Sequence, residues 1–186
     1  MTAPVTSHTP GEAGVEEDAP FDVPSEQRLT RWLAGCLRSG QYDLLVDLRK
    51  GGTRADSRAR LFADCDADRE VFGQVAHLYA IYHRGATEPA YGYGSLGDAM
   101  GRAQAKPGAR AAGFPLKLNR IVSGRAIRWR DLEKAMVTLR EQGARPPAWT
   151  QLIIDLRRWH DRAARVPESW VGDFDRPFHR AESNSR

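Results

Sequence analysis

Residues Ala109 to Arg140 read ARAAGFPLKLNRIVSGRAIRWRDLEKAMVTLR. Phe114, Leu116, Leu118, Ile121, Ile127, Leu132, Met136 and Leu139 recur through this stretch at roughly helical spacing, which predicts two short helices seated on a core. Between them stand eight cations, Arg110, Lys117, Arg120, Arg125, Arg128, Arg130, Lys134 and Arg140, against two anions, Asp131 and Glu133. Helices that bury the apolar set point the charged set outward. A surface of guanidinium and ammonium groups attracts a polyanion, of which a phosphate backbone is the commonest. The plainer alternative is a solvated helix face. Pro115 marks a helix start or a kink, Ser123-Gly124 ends the first basic helix, and Arg128 to Gln142 forms the second.

The same period governs the chain on both sides. Upstream, Ser25 reads as an N-cap for a helix whose stripe is Leu29, Trp32, Leu33, Cys36 and Leu37. Tyr42 to Lys50 fits a second helix with Leu45 and Leu48 inward. Gly51-Gly52 breaks the chain, and Arg54, Arg58 and Arg60 follow in a polar, flexible stretch. Asp68 then caps a long helix to Arg84, with Val71, Phe72, Val75, Leu78, Tyr79 and Tyr82 on its apolar face and Gly85 closing it. After a loop from Gly85 to Gly94, Ser95 caps a short helix, with Asp98 three residues on as in a capping box. Lys106-Pro107-Gly108 is a turn.

Downstream, Pro147 suits the first position of a helix running to about Ala163. It buries Trp149, Leu152, Ile153, Leu156 and Trp159 and points Arg157 and Arg158 away. Pro167 opens a last turn in which Trp170 and Phe174 fold back on the core. No stretch alternates apolar and polar residues convincingly, so the fold reads as all-α: a compact helical bundle, or two helical subdomains sharing a core.

The formal charge of +4 over 186 residues conceals an asymmetry. Residues 1–26 carry six acidic residues, four prolines and no Lys or Arg. Such a segment buries too little apolar surface to offset its ordering entropy, so it reads as a disordered acidic leader. It is either a polyanion mimic that screens the basic face or an extension with no role. Residues 27–175 form the nucleic-acid-binding domain and residues 176–186 a polar tail. No signal peptide and no membrane-length apolar run occur, which predicts a cytoplasmic protein that does not touch membranes. Cys36 and Cys65 lack zinc-ligand spacing and read as buried thiols.

Catalytic signatures are missing from the sequence. There is no glycine-rich phosphate loop, HExxH pair or nucleophile elbow. Asp64, Asp66 and Asp68 suggest a metal site, yet acidic residues just before a helix also suit its positive end without a metal. His77 and His83, six apart on one helix, face different ways and cannot share a metal ion. The expectation is therefore no enzyme, no metal and no cofactor. Trp129, between Arg128 and Arg130, either stacks on a base or packs under the basic face. Tyr91 and Tyr93 lie in a flexible loop.

The order of features resembles the CasB family, the small subunit of the type I-E CRISPR surveillance complex Cascade. A long apolar helix (His77 to Arg84) is followed by a glycine-containing loop and by Ser95-Leu96-Gly97 opening a short helix. The basic Phe114 to Ser123 helix and the amphipathic 128–142 helix come next. After them stand the Ala148-Trp149 helix start, Asp155-Leu156, Trp159 and a terminal Trp170 to Phe174 element. The resemblance covers about residues 28–175. Ala148 stands where the family usually has Asp, and the family's adjacent basic residues are thinned here to Lys117 and Arg120, with Arg49 and Lys50 nearer the start.

The resemblance implies an all-α subunit without catalytic activity or cofactor. Two copies line the inside of the assembly beside the backbone and large subunits. Their basic faces hold the guide RNA–target DNA hybrid and the displaced strand, so the R-loop persists for a recruited nuclease-helicase. The cations assigned to this face are Arg49, Lys50, Arg54, Arg102, Lys106, Arg110, Lys117, Arg120, Arg125, Arg128, Arg130, Lys134, Arg157 and Arg158. The alternative is a helical adaptor or regulatory protein whose basic face meets an acidic protein.

Overall fold

The computed structural model describes residues 23–106 and 113–183, with side chains through Pro177. The acidic leader up to Asp22, and Arg110, therefore lie outside the described residues. Among the described residues every regular element is a helix.

The first group is organised on α4 (Arg69–Tyr82), which buries Phe72, Val75, Leu78 and Tyr79. Packed on it are α1 (Ser25–Arg38), α2 (Tyr42–Arg49), α3 (Thr53–Arg60), α7 (Trp129–Glu141) and α8 (Trp149–Arg157). The second group joins α5 (Leu96–Gln104), α6 (Phe114–Val122) and α9 (Val166–Ser183). Helix α7 touches both groups, and its buried Leu132, Ala135, Met136 and Leu139 make the core continuous.

Several local expectations are corrected. Ser25 is not the N-cap of α1. It is the first helical residue and is buried, and Pro24 takes the cap position. The stretch after Gly51-Gly52 is helical, not a flexible linker. An Asp47 carboxylate oxygen accepts the Ala55 N–H at 2.9 Å, Asp56 and Arg60 pair along the helix at 2.6 Å, and Ala55 and Ala59 are fully buried. Asp68 makes no cap hydrogen bond to α4, because a turn of 3-10 helix over Asp66–Asp68 comes first. Of the two thiols only Cys36 is buried; Cys65 is exposed.

Helix α8 starts two residues after Pro147 and stops at Arg157, short of Ala163. Trp159 is still buried, edge-on to Trp170 with ring centroids 5.3 Å apart. The last turn proves to be an eighteen-residue helix. Pro167 lies in its first turn, where a missing N–H costs nothing. The helix continues past Pro177 to Ser183, so the segment from residue 176 is mostly helical.

Ser95 caps α5 as expected, accepting the Asp98 N–H at 3.2 Å. Its hydroxyl also donates to an Asp173 carboxylate on α9 at 2.6 Å. Two residues on, Gly97 lets α5 approach the α9 backbone at Trp170, and Gly101 repeats this one turn later at Phe174. The Trp170 indole, fully buried by this approach, donates to Asp155 on α8 at 2.7 Å. Burial pushes the Asp155 carboxyl up, against the pull of its Trp170 and Gln151 donors. Ser95-Leu96-Gly97 thus joins the two groups through α9.

The loop from Gly85 to Gly94 is pinned at its centre rather than loose. The Ala90 N–H donates to His83 Nε2 at 2.8 Å, and the Ala90 carbonyl accepts the Trp149 indole N–H at 2.8 Å. His83 Nδ1 lies 2.9 Å from the Tyr79 carbonyl, so the proton sits on Nδ1 and the ring is neutral. Burial lowers the His83 pKa from 6.5 to about 4. The unfolded chain takes up this proton first, so the stability held by neutral His83 is complete above pH 6.5. It is lost as pH falls through the window between 6.5 and 4. The expected loss is on the order of 3 kcal/mol at full charging. Urea unfolding at pH 7 and pH 4.5 measures it. His83→Gln, which cannot titrate, should be less stable at pH 7 and show a smaller fall.

Candidate nucleic-acid interface

Helix α6 opens at Gly113, in the left-handed region at φ 63°, with Pro115 in its first turn. Phe114, Leu118 and Ile121 are buried, which sends Lys117 and Arg120, three residues apart, to a common flank. Ser123-Gly124 ends the helix as read from sequence. The Arg128 side chain passes over Gly124, donates to the Arg120 carbonyl at 3.2 Å and lies 3.7 Å from Asp131. Lys134, one turn along α7, reaches the other Asp131 oxygen at 3.8 Å. Arg130, on the solvent side of the same turns, and Arg125, in the connection, are exposed. Lys117, Arg120, Arg125, Arg128, Arg130 and Lys134 therefore line the α6–α7 corner as a ridge, in which Arg128 and Lys134 share the Asp131 carboxylate.

A second set of cations lines a cleft of about 380 Å³ between α2, α4 and α7: Arg49, Lys50, Arg84 and Arg140, above Val46, Ile81 and Val137. Arg84 was not singled out in the sequence; its signal is a cation just past a helix end. The charge here is largely compensated. Glu133 and Glu141 share the cleft, and α2, α4 and α7 all end at it. Each helix C-terminus carries roughly half a negative charge, so four cations face about three and a half opposing charges. At the ridge the C-terminus of α6 and the N-terminus of α7 roughly cancel. The net positive field belongs to the corner.

The remaining assigned cations are elsewhere engaged or apart. Arg157 reaches Asp68 at 2.7 Å and Glu26 at 3.7 Å, with a side chain only 31 % exposed, so it ties α8 to α1 and to the start of α4. Arg102 pairs with Asp98 and lies 3.7 Å over the Tyr93 ring, and burial lowers its pKa. Lys106 donates to the Gly143 carbonyl at 3.2 Å, beyond the end of α7. Arg158 pairs with Asp161 at 3.3 Å, and Arg54 is exposed on α3.

Trp129 packs: it is half-buried against the core, and its indole N–H donates to Glu70 at 3.1 Å. Asp64, Asp66 and Asp68 are held by Arg28, Arg69 and Arg157 respectively. Among the described residues no cluster of His, Cys, Asp and Glu suits a metal ion, and no helix is long and apolar enough to cross a membrane.

Comparison with known proteins agrees with this architecture. The family model for CRISPR-associated protein Cse2 matches residues 37–174. The crystal structure of CasB from Thermobifida fusca superposes with a TM-score of 0.60 at 21% sequence identity, over 81% of this chain and 94% of that one. No match is found among curated protein sequences.

Proposed function

The chain belongs to the Cse2 family of CRISPR-associated proteins, structural subunits of Cascade and not a known enzyme family, and from that premise we propose that it grips nucleic acid through the α6–α7 ridge, without reading sequence and without catalysis. The observation that carries this reading is the ridge itself: six cations at the α6–α7 corner, of which Arg128 and Lys134 share Asp131 while Arg120, Arg125 and Arg130 meet no carboxylate among the described residues. In a type I-E complex the ridge lies along the guide RNA–target DNA hybrid and the displaced strand. Two copies of the chain sit beside the backbone and large subunits in the cytoplasm.

Exchanging a DNA duplex for an RNA–DNA hybrid is nearly balanced in free energy, so contacts to the sugar-phosphate chain are enough to tip it toward the open R-loop. Such contacts need charge and position, not base-reading geometry. Flexible Lys and Arg on a rigid helical corner supply both.

The test is the affinity of the full chain for single-stranded DNA and for an RNA–DNA hybrid, measured from about 50 to 200 mM salt. Binding through the ridge should weaken steeply, with a log–log slope of roughly −4 to −5 for five or six phosphate contacts. An adaptor for an acidic protein would show little binding to either nucleic acid, whatever the salt, and that result would end the proposal.

A further inference from the structure

Tyr91 and Tyr93 stand in the connection between α4 and α5, 54% and 49% exposed. Neither hydroxyl has a hydrogen-bond partner among the described residues, whereas Tyr82 donates to the Ala144 carbonyl at 2.7 Å. Each ring carries a guanidinium: Arg38 lies 5.7 Å from the Tyr91 centroid, and Arg102 lies 3.7 Å from that of Tyr93. The rings are not what holds the loop. Its backbone is fixed at Ala90 by His83 and Trp149, and at Gly94, whose carbonyl accepts the Ala148 N–H at 3.0 Å. Between these points Gly92, at φ 66°, passes so close to residues 146 and 147 that an added Cβ would stand 2.3 Å from both carbonyl oxygens. The two tyrosines are open rings on a rigid strip of backbone.

Arg38 and Arg145 are exposed and meet no carboxylate within ion-pair range among the described residues. Arg145 is near enough to Arg102 to lower its pKa further, after the effect of burial. Asp98 is paired with Arg102, and Glu88 is exposed in the loop itself. Arg38, Arg102 and Arg145 set against Asp98 and Glu88 leave little net charge, so attraction at this loop has to come from ring faces.

We propose that Tyr91 and Tyr93 form a stacking platform for the bases of an unpaired nucleic-acid strand, a contact additional to the α6–α7 ridge. An aromatic face accepts any base, and a flanking guanidinium adds its own plane and charge. A paired base keeps its faces inside the duplex or hybrid, so this site selects single strands where the ridge does not. A protein partner is the other occupant an Arg–Tyr pair can serve, but such interfaces centre on a packed apolar patch. The loop's other exposed residues are Gly85, Thr87, Glu88 and Gly94, which offer none. The inference rests on the nucleic-acid reading and adds to it a preference for unpaired strand.

The test compares the full chain with a Tyr91→Ala, Tyr93→Ala pair and a Tyr91→Phe, Tyr93→Phe pair, all three of equal charge. Affinity is measured for an oligothymidine single strand and for an RNA–DNA hybrid from about 50 to 200 mM salt. The alanine pair should bind the single strand on the order of 10-fold more weakly, with the log–log slope and the hybrid affinity unchanged. The phenylalanine pair should match the parent. A saturating oligonucleotide carrying iodouracil should crosslink on irradiation to residue 91 or 93. It should do so equally with Arg120→Ala, Arg125→Ala and Arg130→Ala in place. Equal losses on single strand and hybrid, or a phenylalanine pair as weak as the alanine pair, would overturn the platform. So would an alanine pair that binds like the parent, which leaves the rings to a protein partner. The two sites fail separately. A ridge variant that keeps its hybrid affinity sinks the ridge, while the crosslink at 91–93 still supports the platform. A parent that holds both nucleic acids, beside an unaffected alanine pair, sinks the platform alone.

Discussion

Gly97→Ala is expected to unfold this protein at conditions where the parent is stable. An added Cβ would stand 2.6 Å from the Trp170 carbonyl carbon and closer still to its oxygen, and 2.8 Å from its Cα. Those are backbone atoms in the second turn of α9, so no rotamer change relieves the overlap. The helices must part, and they cannot part cheaply: Trp170 is fully buried at the contact, and Ser95 is hydrogen-bonded to Asp173 one turn along. Overpacking a core costs typically about 1–3 kcal/mol, and an immovable backbone clash belongs at or above the top of that range. Gly172→Ala is the opposite control. It sits on the same α9 with nothing within 4 Å of an added Cβ, and it should stabilise by about 0.5–1 kcal/mol through helix propensity. Urea midpoints of the two variants should move in opposite directions. Equal, small shifts would mean that α5 and α9 are not in backbone contact.

That asymmetry between two helical glycines shows where sequence reading stops. The helices themselves were legible because apolar residues at period 3.6 state which face is buried, and Ser95 was legible as a cap because capping is local. The partner that Gly97 needs is Trp170, far along the chain, and no local pattern names it. Helix α3 was missed for a related reason. Its buried face is two alanines, too small a stripe to register as periodicity, and its first turn is held by Asp47 from the preceding helix. The prolines misled at the C-terminus because proline punctuates most sequences, yet Pro167 falls in the first helical turn, where it is tolerated.

The candidate site divides in the same way. The abundance of cations between 110 and 140 is plain in the sequence, but their availability is not. The pairing of Arg102 with Asp98 was readable at i, i+4 spacing. The pairing of Arg157 with Asp68 and Glu26 joins residues remote in the chain, and only the fold discloses it. The convergence of three helix ends around Arg49, Lys50, Arg84 and Arg140 is likewise a tertiary fact, and it compensates cations that look equivalent to the others in one dimension.

That compensation predicts a contrast between two triple variants. Arg120→Ala, Arg125→Ala and Arg130→Ala together remove three exposed guanidinium groups from the ridge, none of which meets a carboxylate within ion-pair range among the described residues. The Arg128 bond to residue 120 survives because its acceptor is the backbone carbonyl. Losing three phosphate contacts should lower the affinity for single-stranded DNA on the order of 100-fold near 0.1 M salt and flatten the log–log slope by about 2 to 3. Arg49→Ala, Lys50→Ala and Arg140→Ala together remove the same formal charge from the cleft, so long-range steering is reduced equally in both proteins. Because those groups answer helix C-termini and two glutamates, the loss there should stay below about 5-fold, with some cost in stability instead. Exposed substitutions on the ridge should leave the melting temperature nearly unchanged. If the cleft variant loses as much affinity as the ridge variant, net charge and not the α6–α7 corner governs binding; if it loses more, the interface belongs between α2, α4 and α7.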